Sequence, residues 1–93
     1  MADARKVCVV TGSSSGIGAA TVRLYAKNGW NVVVNFSRDA TAAEAVAAEC
    51  RGLGAGTLVV RADVAADADC RRLAAEVEQR FGRVDVLVNN AGT

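Results

Sequence analysis

A segment rich in glycine and serine directly follows the first apolar run of the chain, and its residue types suit the binding of a phosphate group. After Thr11 it consists of Gly12, Ser13, Ser14, Ser15, Gly16, Ile17 and Gly18. Glycine lets the backbone approach a pyrophosphate without an intervening Cβ. The N-terminus of a following helix offers free N–H groups and the positive end of its dipole. A serine-glycine loop without a ligand is the alternative, but the position between a strand and a helix favours a phosphate site.

Two further polar segments follow later apolar runs. Asp63 and Val64 come after the third run, and a second group comes after the fourth: Asn89, Asn90, Ala91 and Gly92. If the runs are parallel strands, both segments lie at the same edge of the sheet as the glycine-rich segment. Asp63 can also be read as a cap or turn residue. Asn89 can be read as a purely structural residue that ties the central strands together.

Four apolar runs predict the strands that position these segments: Val7–Val10, Val32–Phe36, Leu58–Val60 and Val84–Val88. The runs do not alternate between apolar and polar residues, which is typical of strands buried on both faces of a parallel sheet. Right-handed crossovers place the first three strands side by side. A return of the fourth strand to the far side of the first gives the order 3-2-1-4.

Helical spacing of apolar residues separates these strands. Thr41 and Glu44 are predicted to form a capping box at the start of the second helix, and Asp67 or Asp69 is predicted to cap the third. Glycines are predicted to end the helices: Gly29, Gly52, Gly54 and Gly82. The order β-α-β-α-β-α-β indicates an α/β fold with a Rossmann-type parallel sheet in a single domain, residues 1–93. It corresponds to a truncated half of a doubly wound domain, with a ligand-binding switch point between strands 1 and 4.

Composition excludes several classes of function. The chain has 93 residues, 52% of them hydrophobic, and a net charge of +1 without a block of one sign. Neither a nucleic acid nor a membrane surface is therefore an expected partner. Three separated cysteines and no histidine give no basis for a metal site. The N-terminal residues do not form a signal peptide, which makes the cytoplasm the expected location.

Three motifs together resemble the short-chain dehydrogenase/reductase family. They are Thr-Gly-x-x-x-Gly-Ile-Gly from Thr11 to Gly18, Asp63-Val64, and Asn-Asn-Ala-Gly from Asn89 to Gly92, in the order that the family has. The resemblance covers essentially the whole chain and is greatest to ketoacyl-carrier-protein reductases and glucose-dehydrogenase-like members. It implies hydride transfer between a nicotinamide dinucleotide and the carbonyl or alcohol of a small-molecule substrate, in a homo-oligomeric parent protein.

The resemblance also assigns roles to individual residues. It implies that the segment from Gly12 to Gly18 binds the cofactor. Asp63 is expected to hydrogen-bond the adenine amine, and the backbone of Val64 to hold the adenine ring. Asn90, Ala91 and Gly92 are expected to line the ribose side of the cofactor.

The residues after the second strand bear on the choice of cofactor. A domain that binds NAD places Asp or Glu roughly 20 residues after the glycine motif, whereas this chain has Phe36, Ser37 and Arg38 there. No carboxylate repels a 2′-phosphate, Arg38 can donate to it and Ser37 can hydrogen-bond it. The sequence therefore favours NADP over NAD. An ordinary solvated arginine is the alternative reading of Arg38.

No catalytic residue is predicted within the chain. The family's chemistry rests on a serine and a Tyr-x-x-x-Lys pair, which lie beyond the Asn-Asn-Ala-Gly motif. The only tyrosine, Tyr25, has Lys27 two residues later and lies in the first helix, so it is expected to pack. The 93 residues alone are expected to be inactive. A binding-only nucleotide module and a truncated reading frame without function are the alternatives to part of an oxidoreductase.

Overall fold

The computed structural model describes residues 4–91, in which four strands and three helices alternate as predicted. The elements are β1 (Val7–Val10), α1 (Gly16–Lys27), β2 (Asn31–Phe36), α2 (Ala40–Gly52), β3 (Thr57–Arg61), α3 (Asp67–Phe81) and β4 (Val86–Val88). The short β-branched strands suit a sheet that is buried on both faces.

The strands form one parallel sheet in the order β3-β2-β1-β4, which confirms the predicted topology. Val9 of β1 lies between Val33 of β2 and Leu87 of β4 in the register of the sheet. Because all four strands run in the same direction, their carboxyl ends meet at one edge. The predicted polar segments follow three of these ends.

Small and β-branched side chains form the core on both faces of the sheet. Helices α1 and α2 cover one face, where the buried residues include Val22, Val34 and Val46. Helix α3 covers the other face through Leu73 and Val77. Two helices thus cover one face of the sheet and one helix covers the other, so the α3 face is less completely covered.

The second helix begins differently from the prediction. Its N-cap is Asp39, whose Oδ1 accepts a hydrogen bond from the backbone N–H of Ala42 at 2.9 Å. The predicted capping box of Thr41 and Glu44 is wrong because the helix already begins at Ala40, so both residues lie inside it. A carboxylate at the N-cap fills the role that the Thr41 hydroxyl was expected to fill.

The predicted cap of α3 is also wrong. Ala66 is the N-cap and has no side-chain capping bond, while Asp67 and Asp69 both lie in the first turn. Asp67 pairs with Arg71 at 2.8 Å. The Asp69 carboxylate accepts the backbone N–H of Asp63 at 2.7 Å, so it fixes the loop after β3 and does not cap the helix.

The fourth strand is shorter than predicted and starts at Val86 instead of Val84. The backbone N–H of Asp85 still donates to the carbonyl oxygen of Val7 at 2.9 Å. The Val84 side chain is exposed, because no helix covers this part of the α3 face in residues 4–91. None of the helices in residues 4–91 has the length and hydropathy of a membrane-spanning segment.

Candidate functional site at the carboxyl edge of the sheet

The loop between β1 and α1 leaves the start of the helix available to a ligand. Ser15 is the N-cap but makes no side-chain capping bond, and the first turn of α1 contains no acidic residue. Gly16 has φ of +58°, and a Cβ built there would meet no atom of the described protein within 4 Å. No side chain caps the first N–H groups of α1 or occupies the space at Gly16, so the positive dipole end of the helix is available to a ligand.

Gly18 brings the helix into direct contact with the loop. A Cβ at Gly18 would lie 2.5 Å from the carbonyl oxygen of Gly12 and 2.8 Å from Nδ2 of Asn90. Gly12 itself has φ of +62°, and a Cβ there would lie 3.1 Å from Ala91. The two glycines thus allow α1, the β1–α1 loop and the segment after β4 to pack against one another.

Hydrogen bonds join the segment after β4 to the end of β1. The backbone N–H groups of Asn90 and Ala91 both donate to Oγ1 of Thr11 at 3.0 Å, and Nδ2 of Asn90 donates to the carbonyl oxygen of Gly12 at 3.1 Å. Oγ1 of Thr11 also lies 3.3 Å from Oδ1 of Asn89. This contact agrees with the structural reading of Asn89.

Ser13 belongs to the internal framework of the loop. Its side chain is fully buried, its hydroxyl donates to the carbonyl oxygen of Val10 at 2.7 Å, and it accepts the backbone N–H of Asn35 at 2.9 Å. The Ser13 backbone N–H donates to the carbonyl oxygen of Asn35. Because these groups already have partners, the contact between Ser13 and a cofactor stays a prediction without support from this geometry.

Asn35 is a site residue that sequence reasoning missed. Its Oδ1 accepts the backbone N–H of Gly12 at 2.9 Å, and its Nδ2 donates to the carbonyl oxygens of Val60 and Ala62, each at 3.2 Å. The signal was present as one asparagine in the otherwise apolar run Val32–Phe36. A buried amide must find partners, and here it finds them in the loop and in β3.

The loop after β3 holds Asp63 in a tight turn. Oδ1 of Asp63 accepts the backbone N–H of Ala65 at 3.0 Å, as the turn reading of this residue expected. The carbonyl oxygen of Val64 accepts from the thiol of Cys70 at 3.2 Å. Asp63 lines a polar cavity of about 340 Å³ together with four other residues: Ser37, Arg38, Arg61 and Asp69.

Two of the three cysteines, Cys8 and Cys50, are buried thiols. Cys8, Cys50 and Cys70 are all free thiols. Burial raises the pKa of the Cys8 thiol to about 11 and raises that of Cys50 as well, so both stay protonated near neutral pH. Within residues 4–91, no group of three or more candidate side chains could hold a metal ion.

The structure thus gathers the sequence-predicted residues around one edge in two groups. Gly12, Gly18, Asn90 and Ala91 are in direct contact, and Ser37, Arg38 and Asp63 line one cavity. Ser14 is half-buried, and the Ser15 and Ile17 side chains at the start of α1 are exposed. Gly92 lies outside the described residues.

Comparisons with known proteins agree with this arrangement. The sequence model described as "short chain dehydrogenase" matches residues 6–93. The 3-oxoacyl-[acyl-carrier-protein] reductase of Synechocystis is 45% identical over 87 residues, which are 94% of this chain and 35% of that protein. The chain spans about a third of the length of such curated relatives.

Solved structures give the same result. A short-chain dehydrogenase/reductase from Serratia marcescens superposes with a TM-score of 0.90 at 40% identity, covering 95% of this chain and 36% of that one. A Burkholderia cenocepacia protein with bound NADP has a TM-score of 0.85 at 30% identity, covering 92% of this chain and 34% of that one. The sheet order, the glycine loop and these matches together lead to one conclusion: the chain belongs to the short-chain dehydrogenase family.

Proposed function

We propose that this chain binds NADP(H) and forms the cofactor-binding part of an oxidoreductase that transfers hydride between the cofactor and the carbonyl or alcohol of a small molecule. The observation that carries the proposal is the open start of α1, where Gly16 faces empty space and no side chain caps the helix. A phosphate at this position meets free N–H groups. No side chain of the cap competes with a phosphate for these N–H groups.

The rest of the edge fits an extended dinucleotide. Gly16 leaves the backbone at the start of α1 open to a pyrophosphate, and Asn90 and Ala91 are held beside the loop by their bonds to Thr11. Asp63 and the cavity beside it lie toward β3, where the adenosine end would extend. When bound, the nicotinamide carries the hydride, and the protein's part is to hold and orient it.

The residues that follow β2 favour the binding of NADP over that of NAD. Phe36 ends the strand, and the next residues, Ser37 and Arg38, line the cavity that we assign to the adenosine ribose. A guanidinium and a hydroxyl can both donate to a 2′-phosphate. An acidic side chain at this point would instead accept from the two ribose hydroxyls of NAD.

A proton donor for the reaction is not among the site residues. Tyr25 packs edge-on against Trp30 with ring centroids 4.9 Å apart, on a helix whose first turn, and not its last, faces the site. We therefore propose that residues 1–93 by themselves do not turn the cofactor over. In the whole protein, the proton donor and the substrate contacts would come from other residues.

Titration calorimetry with NADPH and NADH tests the proposal, using the protein as its natural gene expresses it. We expect both nucleotides to bind and NADPH to bind more tightly. A parallel assay with NADPH and a panel of ketones and aldehydes compares that product with residues 1–93 alone, for which we expect no turnover above a blank without protein. Failure to bind either nucleotide would refute the proposed function.

A further inference from the structure

The polar cavity beyond β2 contains a second arginine that the sequence motifs do not assign. Arg61, the last residue of β3, lies opposite Phe36 in the parallel register of the sheet. Neighbouring strands are about 4.8 Å apart, so Arg61 stands next to the segment that carries Ser37 and Arg38. All three residues line the same cavity of about 340 Å³.

Arg38 and Arg61 differ from most other arginines of the protein in their lack of partners. Arg23 pairs with Glu49, and others are held in the same way: Arg71 by Asp67, Arg72 by Glu76 and Arg83 by Asp85. In contrast, neither Arg38 nor Arg61 uses its guanidinium in a hydrogen bond, ion pair or ring contact with any of residues 4–91. Both guanidinium groups therefore have unused donors toward the cavity that they share, and such donors suit an anionic ligand.

The two carboxylates of the same cavity already have donors. Asp63 accepts the backbone N–H of Ala65 at 3.0 Å, and Asp69 accepts the backbone N–H of Asp63 at 2.7 Å. Asp69 also lies 3.8 Å from the guanidinium of Arg72. Neither carboxylate forms an ion pair with Arg38 or Arg61, so both guanidinium groups keep donors available to an external anion.

We propose that Arg61 is a second specificity-determining residue, which binds the 2′-phosphate of NADP(H) together with Arg38. This inference rests on the proposed function. A phosphate monoester carries about −1.5 to −2 charges at neutral pH, which matches two guanidinium groups better than one. NAD presents only neutral ribose hydroxyls at this position, so Arg61 adds to the discrimination between the cofactors and not to general affinity.

Binding of two nucleotide probes separates this role from others. Adenosine 2′,5′-bisphosphate carries the phosphate in question, and 5′-AMP lacks it. Calorimetry on the protein as expressed from its own gene compares the unmodified form with Arg61→Gln, Arg61→Lys and Arg38→Gln. Arg80→Gln is the control, because Arg80 lies in the last turn of α3, about 16 Å along the helix from Asp69, and the variant removes the same charge.

We expect Arg61→Gln to weaken binding of the bisphosphate and of NADPH about tenfold to a hundredfold, the range for a lost charge-assisted hydrogen bond. Binding of 5′-AMP and NADH should stay unchanged, Arg61→Lys should restore part of the loss, and Arg80→Gln should have no effect. An equal loss for both probes would mean that Arg61 stacks on adenine or supports the fold, and would overturn the inference. No loss for either probe would overturn it too.

The same measurements distinguish failure of the proposed function from failure of the role given to Arg61. If the unmodified protein binds neither nucleotide, the whole proposal fails and the inference with it. If it binds NADPH and NADH equally, the assigned cofactor preference fails, and Arg61 has no discrimination to provide. If it prefers NADPH and this preference survives Arg61→Gln, only the role of Arg61 is refuted.

Discussion

The side-chain carbonyl oxygen of Asn35 accepts a hydrogen bond from the backbone N–H of Gly12 at 2.9 Å, so a residue of β2 fixes the loop that follows β1. The amide nitrogen of the same side chain donates to the carbonyl oxygens of Val60 in β3 and of Ala62 just after it. One buried side chain, only 1% exposed, thereby connects the ends of three strands beneath the candidate cofactor site.

Substitution of Asn35 by alanine should destabilise the protein strongly. It would leave the N–H of Gly12 and the carbonyl oxygens of Val60 and Ala62 without this partner, at about 1–3 kcal/mol for each buried group left unsatisfied. Urea denaturation measures the change in the free energy of unfolding. The control is Asn28→Ala, which removes an exposed bond from Nδ2 of Asn28 to the carbonyl oxygen of Leu24. Equal losses in the two variants would contradict the central position given to Asn35.

A methyl group at Gly18 should disrupt the packing of α1 against the β1–α1 loop. The Cβ of Gly18→Ala would lie 2.5 Å from the carbonyl oxygen of Gly12, which is backbone and cannot move aside cheaply. We expect a loss of roughly 1–3 kcal/mol in the free energy of unfolding and weaker binding of NADPH. Gly52→Ala is the matched control, because a Cβ there meets nothing within 4 Å. If thermal melting gives the same result for both variants, the close packing at Gly18 is not needed.

The sequence could predict the order of strands and helices and the edge of the sheet where the polar segments meet. Apolar runs and helix-ending glycines depend mainly on local structure, which the sequence shows directly. The sequence could not predict Asn35 or Arg61, since their importance comes from neighbours distant in the chain. The error at the start of α3 has a similar cause. Asp69 could bond either its own helix or the loop after β3, and only the folded chain brings the N–H of Asp63 within 2.7 Å of its carboxylate.

Replacement of Arg38 by aspartate should reverse the choice of cofactor. The variant removes a donor to the 2′-phosphate and puts a repelling carboxylate in its place, so NADPH should lose at least the roughly 1.5–3 kcal/mol of one charged hydrogen bond. NADH should be spared or improved, because aspartate can accept from the ribose hydroxyls. Competition calorimetry measures the ratio of the two dissociation constants. Tighter binding of NADH than of NADPH by the unmodified protein would refute the assignment.

Acidic pH should weaken the contact between Asp85, just before β4, and the start of β1. The hydrogen bond from Arg83 and that from the backbone N–H of Val7 lower the pKa of the Asp85 carboxyl. A carboxyl whose pKa is lower in the folded state stabilises the protein above its unfolded pKa of about 3.9, and this stabilisation is lost as the pH falls through the folded value.

The variant Asp85→Asn tests this dependence. We expect it to be less stable than the unmodified protein at pH 7, with the difference shrinking below about pH 4, where the carboxyl of the unmodified protein becomes protonated. Asp67→Asn removes an exposed ion pair with Arg71 and a charge in the first turn of α3, and it should change stability much less. Chemical denaturation across the pH range provides the measurement. A difference between Asp85→Asn and the unmodified protein that stays constant from pH 7 to 3 would exclude the carboxylate as the cause.

The α3 face beside β4 is the part of the sheet with the least cover. Leu87 is 62% exposed, and β4 pairs with β1 on one side and with no other strand of residues 4–91. An apolar cavity of about 530 Å³ lies between β4 and α3, and its lining includes Leu73, Ala74 and Leu87. An open apolar strand edge is a template for pairing with another chain.

Residues 1–93 expressed alone should therefore associate, either through β4 as a two-fold dimer with a continuous sheet or by aggregation. Sedimentation at micromolar concentration measures the oligomeric state. Leu87→Lys should shift the chain toward monomer, because a charge at this exposed position opposes pairing. Leu24→Lys is the control, since Leu24 is similarly exposed on α1, which packs on the opposite face. A monomer that melts cooperatively without substitution would show that these four strands suffice as a folding unit, and would favour a binding-only nucleotide module over part of a larger enzyme.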